Sequence, residues 1–108
     1  MRFHVSLAEA LQQLQKSEDD FAVLFEHGSM RGIIFRPEDI DDQEPHLQDE
    51  IYIVLKGSSD FTLENKTVKV GPGDFLFVPA GAEHRFTNFT ADLLLWVIFY
   101  GEEGGEED

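Results

Sequence analysis

One segment of sixteen residues constrains the fold of this chain more than any other. It runs from Gly73 to Asn88 and reads GDFLFVPAGAEHRFTN. A Gly-Asp turn is followed by an apolar strand, a Pro-x-Gly turn and a returning strand that carries His84 and Asn88. Glycine and proline favour turns because glycine permits positive φ and proline fixes φ. The segment therefore predicts two short strands that meet at a tight turn.

A second segment, PHLQDEIYIVLKG, lies upstream and ends at Gly57. Residues at even separations on a strand point to one face, so His46, Gln48 and Glu50 are predicted to share a face. Together the two segments place two histidines, His46 and His84, and the carboxylate of Glu50 at spacings suited to a single divalent metal in a small β-barrel.

His46 and Glu50 can bind the same metal ion only if the chain between them bends. In a fully extended chain the Cα atoms of His46 and Glu50 would be about 13 Å apart, which strains two ligands with metal bonds of roughly 2.0–2.2 Å. We therefore expect the chain to bend around Gln48-Asp49. Two imidazoles and one carboxylate suit Fe(II), Mn(II), Zn(II), Ni(II) or Cu(II) and leave positions open for water or substrate.

The rest of the chain predicts an all-β domain behind a short helix. Ser6 and Glu9 form a capping box, and apolar residues follow at helical spacing. From Phe21 onward, about eight short β-rich runs alternate with turn residues, as in a sandwich or barrel. We assign residues 1–20 to a helical extension, 21–100 to the barrel and 101–108 to an acidic disordered tail, and expect the loop at 36–45 to cover the barrel mouth.

Composition narrows the classes of function. The chain has 108 residues, which is one domain, and it contains no cysteine, so thiolate ligands and a cysteine nucleophile are excluded. The net charge of −14 would repel phosphate backbones, so we expect no nucleic-acid partner. No signal peptide or long apolar run is evident, so we expect no membrane association and a cytoplasmic location.

The last strand indicates a partner surface. The run from Leu93 to Tyr100, LLLWVIFY, is apolar on both faces, whereas a strand with one face on a core alternates with polar residues. Either the N-terminal helix or a second subunit must cover the other face. We expect a homodimer.

The segment from Gly73 to Asn88 resembles the second motif of the cupin superfamily, G(x)5PxG(x)2H(x)3N. The match is complete, at Gly73, Pro79, Gly81, His84 and Asn88. The resemblance covers about Ile33 to Tyr100 and is to the small single-domain cupins. It implies a double-stranded β-helix, or jelly-roll, barrel that commonly holds a metal ion and is often homodimeric.

The upstream segment resembles the first cupin motif, with one departure. His46, Glu50 and Gly57 occupy the positions of the second histidine, the glutamate and the closing glycine, and Glu44 stands where the first histidine is expected. If Glu44 ligates, two carboxylates neutralise the ion. If it points away, the site is a 2-His-1-carboxylate set such as non-haem Fe(II) oxygenases use. Gln48 is a third candidate, as an oxygen ligand or a hydrogen-bond donor behind the ligands.

Other polar residues receive simpler interpretations. His4 and His27 are predicted to be surface histidines, and Arg85 is predicted to face away from the barrel interior. Arg31 and Arg36 are candidates for anchoring an anionic substrate, although each could pair with a nearby carboxylate. Asn88 is expected to satisfy backbone groups in a tight return.

Six aromatic residues are predicted to form core or pocket wall: Tyr52, Phe61, Phe75, Phe77, Phe86 and Trp96.

Three functions compete. The first is a metal-dependent enzyme on a small organic molecule, by resemblance a dioxygenase, isomerase or decarboxylase, with Glu44 or Glu50 available as a proton acceptor. The second is a non-catalytic small-molecule-binding or sensor module with a structural metal. The third, weakest, is a metal-free epimerase-like barrel with His84 as base. The fold alone does not choose among them.

Overall fold

The computed structural model describes residues 2–38 and 45–107, and the predicted all-β fold with one N-terminal helix is confirmed. The elements are α1 (Leu7–Lys16), β1 (Phe21–His27), β2 (Met30–Phe35), β3 (Asp49–Lys56), β4 (Ser59–Leu63), β5 (Lys66–Val70), β6 (Phe75–Val78), β7 (His84–Thr87) and β8 (Leu94–Tyr100).

The strands form two antiparallel sheets of a jelly roll. The larger sheet has the order β1-β2-β8-β3-β6 and the smaller one β5-β4-β7. Alternate residues of both sheets point into a shared interior, since successive side chains of a strand point to opposite faces. The buried core between the sheets includes Tyr52, Val54, Phe61, Phe86, Leu95 and Phe99.

Helix α1 packs on the outer face of the larger sheet. The Ser6 hydroxyl accepts a hydrogen bond from the backbone N–H of Glu9 at 3.1 Å, as the capping box predicts. A second apolar cluster joins Ala10 and Leu14 of the helix to Ile34 of β2 and Leu94 of β8. The helix therefore covers the second face of β8 near its start. Within the described residues, no helix has the length and apolar character needed to cross a bilayer.

Strand β6 forms one edge of the larger sheet and presents two aromatic residues to solvent. Phe75 is 61% exposed and Phe77 is 45% exposed, so they are not the core or pocket wall that the sequence predicted. Alternation explains the difference, because Val78 is the β6 residue paired with the inward-facing Glu50. The exposed pair and its cross-strand partners on β3 form what we call the β6 apolar face: Phe75, Phe77, Ile51 and Ile53.

Gly57, which joins β3 to β4, occupies a position that excludes a side chain. Its φ is +82°, and a Cβ atom there would lie 2.5 Å from Oγ1 of Thr90 and 2.7 Å from Cα of Leu93. The turn between β3 and β4 is thereby packed directly against the segment leading into β8.

The segment after β8 lies against the start of β3. The N–H of Gly104 donates to the carbonyl of Leu47, and the N–H of Glu106 donates to Oδ2 of Asp49, each at 2.8 Å. These hydrogen bonds connect residues 104–106 to the start of β3, in a segment whose acidic composition predicts disorder. A buried carboxylate at Asp49 gives the tail N–H group an acceptor that composition alone does not reveal.

Candidate metal centre

Three side chains from separate parts of the chain meet in the interior. His46 lies just before β3, Glu50 is the second residue of β3, and His84 opens β7. One ligand atom from each can be chosen so that all three lie within 4.8 Å of one another, an arrangement able to hold a metal ion. The predicted set of two histidines and one carboxylate is thus brought together.

The backbone reaches this arrangement through a bend at residues 47–48, close to the bend expected around Gln48-Asp49. The Pro-x-Gly turn before β7 forms hydrogen bonds with the residues on either side of this bend. The N–H of Gly81 donates to the carbonyl of His46 at 2.8 Å, and the N–H of Ala80 donates to Oδ1 of Asp49 at 2.9 Å. The two sequence motifs are therefore tied together by hydrogen bonds as well as by their ligand atoms.

The orientation of His84 is fixed by a backbone carbonyl. Nδ1 of His84 is 3.0 Å from the carbonyl oxygen of Ala82. Because a carbonyl can only accept, Nδ1 must carry a proton and donate it. In neutral imidazole the lone pair is then on Nε2, which faces Glu50 and Tyr52. Metal-ligating histidines are commonly oriented by this kind of second hydrogen bond.

Glu50 is fully buried, at 0% exposure. Its Oε1 lies 2.9 Å from Nε2 of His84, yet within the described residues neither carboxylate oxygen accepts a hydrogen bond of normal geometry. The contact is therefore close but not aligned as a hydrogen bond. A buried carboxylate without compensation costs several kcal/mol. Two electron-rich atoms at this separation require a proton or a cation between them, and a divalent ion fits that requirement.

Aromatic rings form the wall around the three groups. The ring centroids of His46 and Phe99 are 4.8 Å apart in an edge-to-face contact, and those of His46 and His84 are 5.6 Å apart. On the other side, Tyr52 packs edge-to-face on Phe86 at 5.0 Å. These contacts restrict the ligand rings to the orientations described.

A pocket lies beside His46, one member of the group. It has a volume of about 290 Å³, at the low end of the range of roughly 300–1,000 Å³ for small-molecule sites. His46 belongs both to the pocket wall and to the candidate metal group. The lining residues are Arg31, Pro45, His46, Leu47, Gln48, Phe99 and Glu103.

The two remaining ligand candidates are Gln48, which the structure describes, and Glu44, which it does not. Gln48 donates from Nε2 to the carbonyls of Ser29 and Gly101, at 2.9 and 2.8 Å, and so links the β1–β2 turn to the segment after β8. Glu44 and most of the loop expected to cover the mouth lie outside the described residues, so ligation by Glu44 stays a prediction.

Asn88 contacts a side chain rather than the backbone groups expected for it. It follows β7 with a φ of +51°, and its amide donates to Oδ2 of Asp60 at 3.0 Å. This hydrogen bond, with a smaller contribution from Lys69, lowers the pKa of Asp60 below its usual value, against a raising effect of desolvation. Asn88 therefore fastens the end of β7 to β4.

The exposed histidines and Arg85 lie where the sequence placed them. His4, His27 and Arg85 are all exposed. Of the two arginines proposed as anchors, Arg31 lines the pocket beside His46, whereas Arg36 lines a separate cavity under the helix.

Two residues of the site were not singled out from the sequence. The hydroxyl of Tyr52 lies 3.1 Å from Nε2 of His84, although the sequence assigned Tyr52 only to the core or pocket wall. Its position two residues after Glu50, on the same face, was the available signal. Phe99 gave no such signal, because its contact with His46 depends on how β8 pairs with β3.

Comparison with known proteins places the chain in a family. The family model described as cupin domain matches residues 33–100, and the chain belongs to this family.

Two sequence relatives and one solved structure illustrate the similarity. An uncharacterised protein of Streptomyces coelicolor is 41% identical over 59 residues, 55% of this chain and 56% of that protein. Acireductone dioxygenase of Danio rerio is 39% identical over 61 residues, 48% of this chain and 34% of the enzyme. The structure of dimethylsulfoniopropionate lyase DddQ from Ruegeria pomeroyi has a TM-score of 0.63 at 25% identity, covering 76% of this chain and 46% of that one. The chain thus matches only about a third to just over half of the length of these sequence relatives.

Proposed function

We propose that the protein binds one divalent metal ion through His46, Glu50 and His84 and acts as a mononuclear metal-dependent enzyme on a small organic molecule. One observation carries the proposal: the buried Glu50 carboxylate faces Nε2 of a histidine whose Nδ1–H is already donated to a backbone carbonyl. A buried anion beside an imidazole held in this way is suited to a cation.

The metal, when bound, would supply Lewis acidity at the coordination positions that three protein ligands leave open. Other residues of the chain surround the three proposed ligands. The hydroxyl oxygen of Tyr52 lies 3.1 Å from Nε2 of His84, and the ring of Phe99 packs edge-to-face on His46. The pocket beside His46 supplies the space for a substrate.

The named relatives support an enzyme without choosing the reaction. One is a dioxygenase and another a lyase, and each is much longer than the matched segment. A dioxygenase-like or isomerase-like reaction remains our proposal for this chain, and Fe, Mn, Zn, Ni and Cu remain the candidate metals.

An alternative function has its own observation. The side chains of His84 and Glu50 are 0% and 1% exposed, and closed sites are typical of structural metals. A non-catalytic module that binds a small molecule, with a metal bracing the barrel, would use the same three ligands.

Metal analysis of protein purified without chelator or nickel affinity tests the proposal. We expect close to one equivalent of a divalent metal per chain. Iron would favour the dioxygenase reaction, and zinc, which has no redox chemistry, would favour the isomerase. Protein that contains no metal and takes up none of the five candidate ions would contradict the proposal and favour the metal-free epimerase-like barrel.

We also propose that two chains pair through the β6 apolar face. Helix α1 covers the outer face of β8 around Leu94, but Phe75 and Phe77 on the edge strand stay exposed. A second copy of the same face would remove these rings from water, and a self-complementary contact of this kind is the usual basis of a two-fold dimer.

A further inference from the structure

Three residues of the larger sheet lie in one row across neighbouring strands. Glu50 of β3 pairs with Phe99 of β8, and Phe99 pairs with Arg31 of β2. Directly paired residues point to the same face of a sheet, so Arg31, which is exposed, lies on the sheet face that carries the buried Glu50. Two strand spacings of about 4.8 Å place their Cα atoms roughly 10 Å apart. A small molecule could therefore touch both ends of the row.

The side chain of Arg31 is held at the pocket by an aromatic ring. Its guanidinium carbon lies 5.0 Å from the ring centroid of Phe99, a distance at which cation–π attraction operates. Phe99 is buried and its ring also contacts His46. The guanidinium is thus held beside the ring that borders the candidate metal group.

Among the described residues, no ion pair uses the charge of Arg31. The chain has 22 acidic and 8 basic residues, and Arg2 and Lys69 each pair with a carboxylate. For Arg31 no ion pair is found across residues 2–38 and 45–107, although Glu26 is its cross-strand partner and Glu103 lines the same pocket. Its guanidinium donors can therefore serve a ligand.

We propose that the pocket binds small molecules bearing a carboxylate, which Arg31 receives while the rest of the molecule points toward His46. The direction of the ligand rests on the proposed function, whereas the contact with Arg31 does not. A planar guanidinium matches a carboxylate in a two-point hydrogen bond. One arginine beside Glu103, on a chain of charge −14, suits a monoanion better than a phosphate dianion. The apolar lining by Pro45 and Leu47 suits a short carbon chain.

The test compares propionate with its neutral amide, propionamide. Binding is followed by NMR, through the resonances of the pocket residues, and by the absorption of the Co(II)-loaded protein. We expect propionate to bind and propionamide to bind much more weakly. The variant Arg31→Gln should bind propionate about tenfold more weakly, since a charge-assisted hydrogen bond is being removed, and Arg31→Lys should recover part of the loss.

The matched control is Arg85→Gln, which removes the same charge from an exposed position on β7. It should bind propionate like the wild type, and Arg31→Gln should keep the wild-type metal content. Unchanged propionate affinity in Arg31→Gln, an equal loss in Arg85→Gln, or equal binding of propionate and propionamide by the wild type would overturn the proposal.

The same NMR titration on metal-free protein separates this proposal from the proposed function. If the wild type takes up no metal but its propionate affinity still depends on Arg31, the metal assignment fails and the carboxylate site stands. If the metal binds and propionate affinity is indifferent to Arg31, the carboxylate site fails and the metal assignment stands.

Discussion

Nε2 of His84 lies 2.9 Å from Oε1 of Glu50, and both side chains are buried inside the barrel. The Nδ1–H of the same histidine is donated to the carbonyl of Ala82. The imidazole is therefore oriented from one side by the backbone, while its second nitrogen faces an anion. This relationship is the physical basis for proposing a metal ion here, because the buried carboxylate requires positive charge nearby.

The hydroxyl of Tyr52 should compete with a metal for His84. It lies 3.1 Å from Nε2 of His84, and a nitrogen with one lone pair cannot both accept a hydrogen bond and ligate. Tyr52→Phe removes the competitor, whose hydrogen bond is worth about 1 kcal/mol. We expect Zn(II) to bind as tightly as in the wild type or up to about fivefold more tightly, measured by chelator competition. Loss of zinc binding in a folded variant would show that the hydroxyl supports the site.

If Glu44 points inward, it influences the metal affinity and the metal preference of the site. Glu44→His supplies the histidine that the first cupin motif expects, and it replaces an anionic oxygen ligand by a neutral nitrogen. We expect tighter binding or a changed metal preference, measured by titration with Co(II) and Zn(II). An unchanged affinity and an unchanged Co(II) absorption spectrum would place residue 44 outside the ligand set.

The proposed homodimer depends on the exposed rings of β6. Replacing both Phe75 and Phe77 by Glu puts like charges on a face whose burial is worth roughly 1.5–3 kcal/mol per ring. We expect the wild type to be a dimer by light scattering at low micromolar concentration, and the double variant to be a monomer. Val68→Glu, an exposed apolar position on β5 of the other sheet, is the control and should leave the dimer intact. A monomeric wild type would contradict the proposal.

The hydrogen bond from Asn88 to Asp60 should make stability depend on pH. It is the main cause that lowers the pKa of Asp60. A carboxyl whose pKa is lower in the folded state stabilises the fold above its unfolded pKa, and the contribution is lost as pH falls through the folded value. Asn88→Gly keeps the positive φ but removes the amide. We expect its thermal midpoint to lie below that of the wild type at pH 7, with the difference shrinking below pH 3.8, the unperturbed value.

The variant Lys69→Gln and the shape of the pH profile test whether Asp60 causes this pH dependence. Lys69→Gln, which removes a weaker contributor to the same pKa shift, should show a smaller difference with the same trend. A difference between the wild type and Asn88→Gly that is constant from pH 7 to pH 2 would mean that the amide acts without Asp60.

Much of the fold and the ligand set follows from local sequence, and the rest depends on pairing between distant strands. The turns at Gly57 and Gly81 and the cap at Ser6 are local features, so they are readable from the chain. The exposure of Phe75 is not, because an apolar residue on an edge strand has the same sequence signal as one in the core. The placement of Arg31 over Phe99 likewise requires the register of β2 against β8.

The metal stoichiometry of His84→Ala, compared with that of His27→Ala, tests whether His84 is a metal ligand. Both variants lose one imidazole, but His84 is buried at the proposed centre and His27 is exposed at the end of β1. Each folded protein is titrated with Co(II), and the bound metal is counted after removal of excess. We predict one equivalent per chain for the wild type and for His27→Ala, and none that survives removal of excess for His84→Ala. A full equivalent retained by His84→Ala would show that His84 does not hold the metal ion.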